Sequence, residues 1–201
     1  MEYFSPATME ETLSILAKYG EDAIPVAGSS FFMAHKDEIY SDIGAIVDIK
    51  NIGLNYIKVD KEGLKIGATA TLTDILENEA TNTGEFAVLA EATMRIKPVE
   101  IRNVGTMGAM LSIGAELDLP TVLIPMDAKL IAMDSSGKKR VISLGDLYVG
   151  YLFTALKPGE LLVEVQVPHL PPRSGVAFDK LERRAGPEAA LPMSSGFFMS
   201  S

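Results

Sequence analysis

Ala23-Ile24-Pro25-Val26-Ala27-Gly28-Ser29-Ser30 runs from an uncharged tetrapeptide straight into a glycine turn. Such a run predicts a short buried strand over 23–26 that stops at Gly28. Upstream, Thr8-Met9-Glu10-Glu11 has the form of a capping box, and Met9, Leu13, Leu16 and Ala17 recur on one helical face ending near Gly20. Downstream, Ile46-Val47-Asp48-Ile49 reads as a second strand, with a helical turn between the two. Strand, turn, helix and strand in that order predict a small parallel α/β unit ending near Asn55.

Beyond Asn55 the period changes. Tyr56-Ile57-Lys58-Val59 and Leu64-Lys65-Ile66 alternate apolar and polar residues around Asp60-Lys61-Glu62-Gly63, the mark of a hairpin. A helix is expected over Thr71–Glu79, capped by Thr71 or Thr73, and another over Phe86–Arg95, limited by Pro98. A Gly-rich segment, Val104 to Met110, follows, and Pro120 is expected to open an apolar helix over Thr121–Met126. Lys129–Met133 and Lys139–Ser143 form a second hairpin, and Leu161–Val167 an alternating strand closed by Pro168. His169 to Gly175 reads as a linker into a strand over Val176–Leu181. The final apolar run, Phe197-Phe198-Met199, has no obvious partner element, which reads as a truncated end.

Composition narrows the function. A net charge of −9 over 201 residues argues against nucleic acid or an anionic membrane as partner. With 47% hydrophobic and 22% charged residues the chain is of globular type, and no apolar stretch is long enough to span a bilayer. The expectation is a soluble, cytoplasmic protein. The absence of Cys removes disulfides, thiolate zinc, iron–sulfur ligation and a Cys nucleophile from this chain. Any redox work therefore needs a bound cofactor.

Two glycine turns are the most suggestive features: Gly28-Ser29-Ser30, and Gly105-Thr106-Met107-Gly108. Glycines there let backbone N–H groups approach an anion, and two such loops could hold a diphosphate. Neither is a P-loop or a Rossmann fingerprint, and on spacing alone a plain turn is the commoner reading of each. Asp118 could accept from a ribose or serve as an N-cap. Asp127 reads as a turn residue. His35 and His169 lack the neighbours of a metal or triad motif and are expected to face solvent. Lys180-Leu181-Glu182-Arg183-Arg184 reads either as a solvated strand end or as a phosphate contact. The residues name no catalytic group and no metal ligand, and unaided they reach an α+β nucleotide-binding candidate.

A set of segments in one order carries a resemblance. Pro25-Val26-Ala27-Gly28-Ser29-Ser30 resembles a flavin loop usually written A-G-G-T-D, and Ile101-Arg102-Asn103-Val104-Gly105-Thr106-Met107-Gly108 resembles I-R-N-x-G-T-I-G-G-N. Ile46 to Leu54, Leu64 to Ile75, Leu117-Asp118-Leu119-Pro120, Val149-Gly150-Tyr151, Thr154-Ala155-Leu156, Glu160-Leu161-Leu162 and Phe178 to Ala185 continue the pattern. On these residues the chain resembles the FAD-binding medium subunit of molybdenum hydroxylases, the carbon monoxide dehydrogenase and xanthine dehydrogenase flavoprotein family.

The resemblance implies a PCMH-type FAD-binding fold of α+β class. Residues 1–55 would be an N-terminal α/β FAD-binding subdomain, 56–170 a larger antiparallel-sheet subdomain, and 171–201 the truncated start of a C-terminal domain. It implies FAD contacts from Ala27, Gly28, Ser29, Ser30, Thr106, Gly108, Ala109, Asp118, Leu162 and Lys180. It implies partners as well: a molybdopterin-binding large subunit, and a small subunit with two-iron, two-sulfur clusters that would pass electrons through FAD to an acceptor. The chain departs from the pattern at Ser29-Ser30-Phe31, where the family has Gly-Thr-Asp, and at Ala109-Met110, where it has Gly-Asn. The Ala109 Cβ would be strained if that position needed a positive φ. Two readings follow, an electron-transferring FAD subunit and a flavin-free structural or truncated subunit of such a complex.

Overall fold

The computed structural model describes residues 1–38, 40–113, 118–181, 191–192 and 197–199. Leu117 and Glu182 to Ala185, which the sequence singled out, lie outside the described residues. The chain opens with β1 (Glu2–Phe4), α1 (Met9–Tyr19), β2 (Ala23–Val26), α2 (Ser30–His35) and β3 (Ala45–Asp48). The three strands pair in parallel, in the order β1-β3-β2. The parallel unit is thus as expected, with an added edge strand, β1, too short to show a period. Glu11 N donates to Thr8 Oγ1 at 3.2 Å, which caps α1. The reciprocal bond of the expected box is displaced by one residue, since Ala7 N donates to Glu11 Oε2 at 3.1 Å.

β4 (Ile57–Asp60) and β5 (Gly63–Gly67) form the first hairpin. Short helices follow: α3 (Leu72–Glu77), α4 (Glu79–Asn82), α5 (Val88–Met94), α6 (Val99–Val104), α7 (Met107–Ser112) and α8 (Asp118–Leu123). The second hairpin, β6 (Lys129–Met133) and β7 (Lys139–Ser143), has the expected bounds. A small ribbon, β8 (Tyr148–Gly150) with β9 (Phe153–Thr154), precedes β10 (Leu161–Pro168). β10 inserts between the hairpins, antiparallel to both, giving the order β4-β5-β10-β6-β7.

Three expectations are corrected here. The Gly-rich segment after Val104 is helical, because Thr106 caps α7 and Gly108 lies in its first turn. Pro120 is the third residue of α8 and does not open it; the missing N–H costs nothing there, since first-turn amides have no intrahelical acceptor. The run Phe197–Met199 does find a partner: β14 over these residues pairs antiparallel with β11 (Ser174–Val176), while β12 (Lys180–Leu181) pairs with β13 (Leu191–Pro192).

The five-stranded sheet carries a core on each face. Leu64, Ile66, Leu130, Leu162, Val165 and Val167 pack against the helices, whereas Ile131, Leu161 and Val163 pack against α1 and β3. Strict alternation would put Val163 with Val165. A bulge between Leu162 and Glu164 reverses the parity, so Val163 faces the small unit instead. Asp127 turns the chain after α8 with a positive φ of 54°, as a turn residue should. Among the described residues no helix is long and apolar enough to cross a membrane.

Candidate functional site

The loop from β2 into α2 faces the small side of α7 across a cleft. A cavity of about 360 Å³ is walled by Ile24 to Phe32 on one side and by Gly105, Ala109 and Ser112 on the other; Tyr40, Ile113 and Leu152 complete it. A smaller one of about 110 Å³ shares Pro25, Ala27, Ala109 and Ser112 and reaches Thr106, Gly108, Glu160 and Leu162. Eight of the ten expected site residues therefore line these two adjoining cavities, drawn from 27 to 162 in the sequence. They are Ala27, Gly28, Ser29, Ser30, Thr106, Gly108, Ala109 and Leu162.

Local conformation explains how the first wall is built. Ser29 takes a left-handed turn, φ 57° and ψ 7°, which ends the extended chain and starts α2 with no side chain capping it. The first-turn N–H groups of a helix lack intrahelical acceptors, and a left-handed residue followed by right-handed ones gathers such groups into a hollow suited to an anion. Gly28 has a different task from the one its sequence suggested. A Cβ there would lie 1.5 Å from Val104 O, so this glycine lets the loop touch the end of α6. Phe31 stacks on His35 at 4.1 Å between ring centroids, and Phe32 lies 5.4 Å from Tyr40, which gives the larger cavity an aromatic side. His35 is thus partly covered, and its Nδ1 donates to Phe31 O at 3.0 Å. Burial pushes the Tyr40 phenol above its ordinary pKa, so it stays neutral.

The second wall is a helix face. Ala109 and Ser112 face the cleft at helical spacing, extended Gly105 precedes the helix, and Met107, Met110 and Leu111 point into the core. Two of the α7 amides already have acceptors within the chain. Met107 N donates to Ala70 O at 2.9 Å and Gly108 N to Ala68 O at 2.8 Å. Ala109 N–H turns to Thr106 Oγ1 at 3.4 Å. Ala109 lies in regular helix and is not among the positive-φ residues, so its Cβ carries no strain. Glu160, on the smaller cavity, is gripped through both oxygens by Arg140 at 2.7 Å, which holds its carboxyl below the usual range.

Asp118 and Lys180 line neither cavity. Their side chains, 11% and 13% exposed, pair with each other at 2.8 Å and join α8 to β12. Sequence reasoning passed over Phe32, Tyr40, Ser112, Ile113 and Leu152. Reading 105–112 as a helix would have found Ser112 by its spacing; Tyr40 and Leu152 come from distant turns and carry no local signal.

The fold and cleft have counterparts among known proteins. Residues 1–170 match the family model described as "FAD binding domain in molybdopterin dehydrogenase". The chain belongs to this family. Its fold is accordingly the PCMH-type FAD-binding fold that the resemblance implied. The chain is 35% identical over 187 residues, 92% of its length, to the 6-hydroxypseudooxynicotine dehydrogenase complex subunit alpha of Paenarthrobacter nicotinovorans. It is 28% identical over 204 residues, 97% of this chain, to the carbon monoxide dehydrogenase medium chain of Afipia carboxidovorans. Among solved structures, a reconstituted CO dehydrogenase from Oligotropha carboxidovorans superposes with a TM-score of 0.86 at 28% identity over 92% of the chain. Quinoline 2-oxidoreductase from Pseudomonas putida 86 does so at 0.81 and 27%, again over 92%. The chain spans 62% and 70% of the two relatives' lengths and 64% of each matched structure.

The FAD-binding domain has the groups such a dinucleotide needs. The uncapped start of α2 offers backbone donors to a diphosphate. The small face of α7 lets a ligand come close, and the aromatic wall suits a planar ring. The residues fit, with the donors coming from the first loop more than from the second.

Proposed function

We propose that the chain binds FAD in this cleft and serves as the flavin subunit of a molybdopterin-dependent dehydrogenase, passing electrons from iron–sulfur clusters to an acceptor. The observation that carries this reading is the meeting of the β2–α2 loop with α7 around one cavity. Bound FAD supplies the electron-transfer chemistry. The Ser30, Phe31 and Phe32 amides hold the diphosphate charge, and Ala27 and Ala109 set how closely the cofactor lies to the backbone. Phe31, Phe32, Ile113 and Leu152 keep water from it. Residues 1–55 and 56–170 act as the two FAD-binding subdomains, and 171–201 begins a further unit. The partners are a molybdopterin-binding large subunit and an iron–sulfur small subunit, a reading supported by relatives named as a medium chain and as a subunit of a dehydrogenase complex. Cytoplasmic location belongs to the same proposal, and cell fractionation tests it.

The purified chain is expected to show flavin absorbance, or to quench FAD fluorescence on titration. Ala109→Leu pushes a larger side chain into both cavities from a half-buried helix face. It should weaken FAD binding by about tenfold or more while leaving thermal unfolding unchanged. A protein that neither carries nor takes up FAD would overturn the proposal and leave the flavin-free structural subunit. Recovery of the tagged chain from its host without a molybdopterin or iron–sulfur protein would overturn the partner assignment.

A further inference from the structure

His169 sits just past β10, away from the cleft. Its Nδ1 lies 2.7 Å from Glu85 Oε1 and its Nε2 lies 2.8 Å from Asp60 O. A carboxylate and a peptide carbonyl are both acceptors. A neutral imidazole has one N–H and one bare nitrogen, so it would set a lone pair against one of them; the imidazolium satisfies both. Glu85 Oε2 accepts from Leu170 N at 2.8 Å, and the Phe86 ring lies 6.0 Å from the imidazole. On the hairpin side Lys65 pairs with Asp60 and Glu62, each at 2.8 Å, which leaves Glu85 as the carboxylate facing His169.

We propose that His169 is a doubly protonated latch that fastens the exit of β10 to the helical layer and to the β4–β5 turn, and that this corner opens as pH rises. Two elements meet on the ring, the turn at Asp60 and the segment at Glu85 before α5, and the second oxygen of Glu85 holds the backbone at Leu170. Beyond it, β11 pairs with β14 over Ser174–Val176 and Phe178 is buried in the core, so opening is confined to the residues just past β10. The hydrogen bond to Glu85 and then that to the Asp60 carbonyl raise the His169 pKa above its ordinary value. The folded chain therefore holds the proton more tightly than the unfolded chain. The stabilisation is complete below the ordinary value, about 6.5, and is lost as pH rises through the raised one.

Nitrogen-15 NMR of the imidazoles in the full chain tests the protonation state directly. Both His169 ring nitrogens are expected to keep their protons to a higher pH than an ordinary imidazole, whose midpoint is about 6.5; a midpoint at or below that value would overturn the proposal. Amide exchange at Leu170, whose N–H is held by Glu85, should quicken by about tenfold, after correction for base catalysis, between about pH 6 and about pH 9. In His169→Gln the corrected exchange should be fast at both ends of that range. Wild type and variant with the same profile would refute the latch.

Discussion

Ser29 and Leu152 both hold a left-handed backbone in the cleft, and Ser29 is the one that starts a helix. A left-handed φ of 57° costs a residue with a Cβ about 1–2 kcal/mol relative to its ordinary wells. Ser29→Gly relieves that strain but frees the unfolded chain by about 0.5–1 kcal/mol, so its thermal midpoint should stay within a few degrees of wild type. Ser29→Val puts a β-branched side chain in the same well and should lose about 1–2 kcal/mol. Thermal unfolding of the two variants checks this, and a valine protein as stable as wild type would contradict the left-handed turn. Gly28 teaches a related lesson. Its glycine signal was legible in sequence, but the reason for it, contact with Val104 O, depended on a helix some 75 residues away.

At the scale of elements, α7 divides its faces between core and cleft. The core side is tight: a Cβ on Gly108 would lie 2.8 Å from Ala68 O and 2.9 Å from Ala68 Cβ. Gly108→Ala should therefore push α7 off the end of β5 and cost about 1–3 kcal/mol in urea denaturation. A larger residue there unfolds the contact as well as altering the cleft, so Ala109 is the better probe of binding. Helix α7 was read as a Gly-rich loop because Gly105 and Gly108 mask its period, while the Thr106 cap and the bonds to Ala68 and Ala70 stabilise it. β10 shows the reverse case. Its apolar run was legible, but a single bulge decides which face each valine takes.

Across the whole molecule, the Asp118–Lys180 pair ties β12 to α8 over 62 residues of sequence. Lys180→Met leaves a nearly buried carboxylate without its partner and should cost about 2–3 kcal/mol. Asp118→Leu combined with Lys180→Met should recover most of that loss, because the charge and its partner leave together. Urea midpoints of the single and double variants measure the coupling, and additive losses would show that the two side chains act independently. The sequence by itself determined the order of strands and hairpins and the two glycine loops, which are properties of local period, turn chemistry and composition; its resemblance to a family pointed to eight of the residues that wall the cleft. Only the tertiary structure decided that β10 inserts between two hairpins, that the α7 amides face inward, that Tyr40 and Leu152 complete the cavity and that His169 meets two acceptors. Each depends on an acceptor, a neighbour or a parity contributed by a distant part of the chain, and no local pattern contains it.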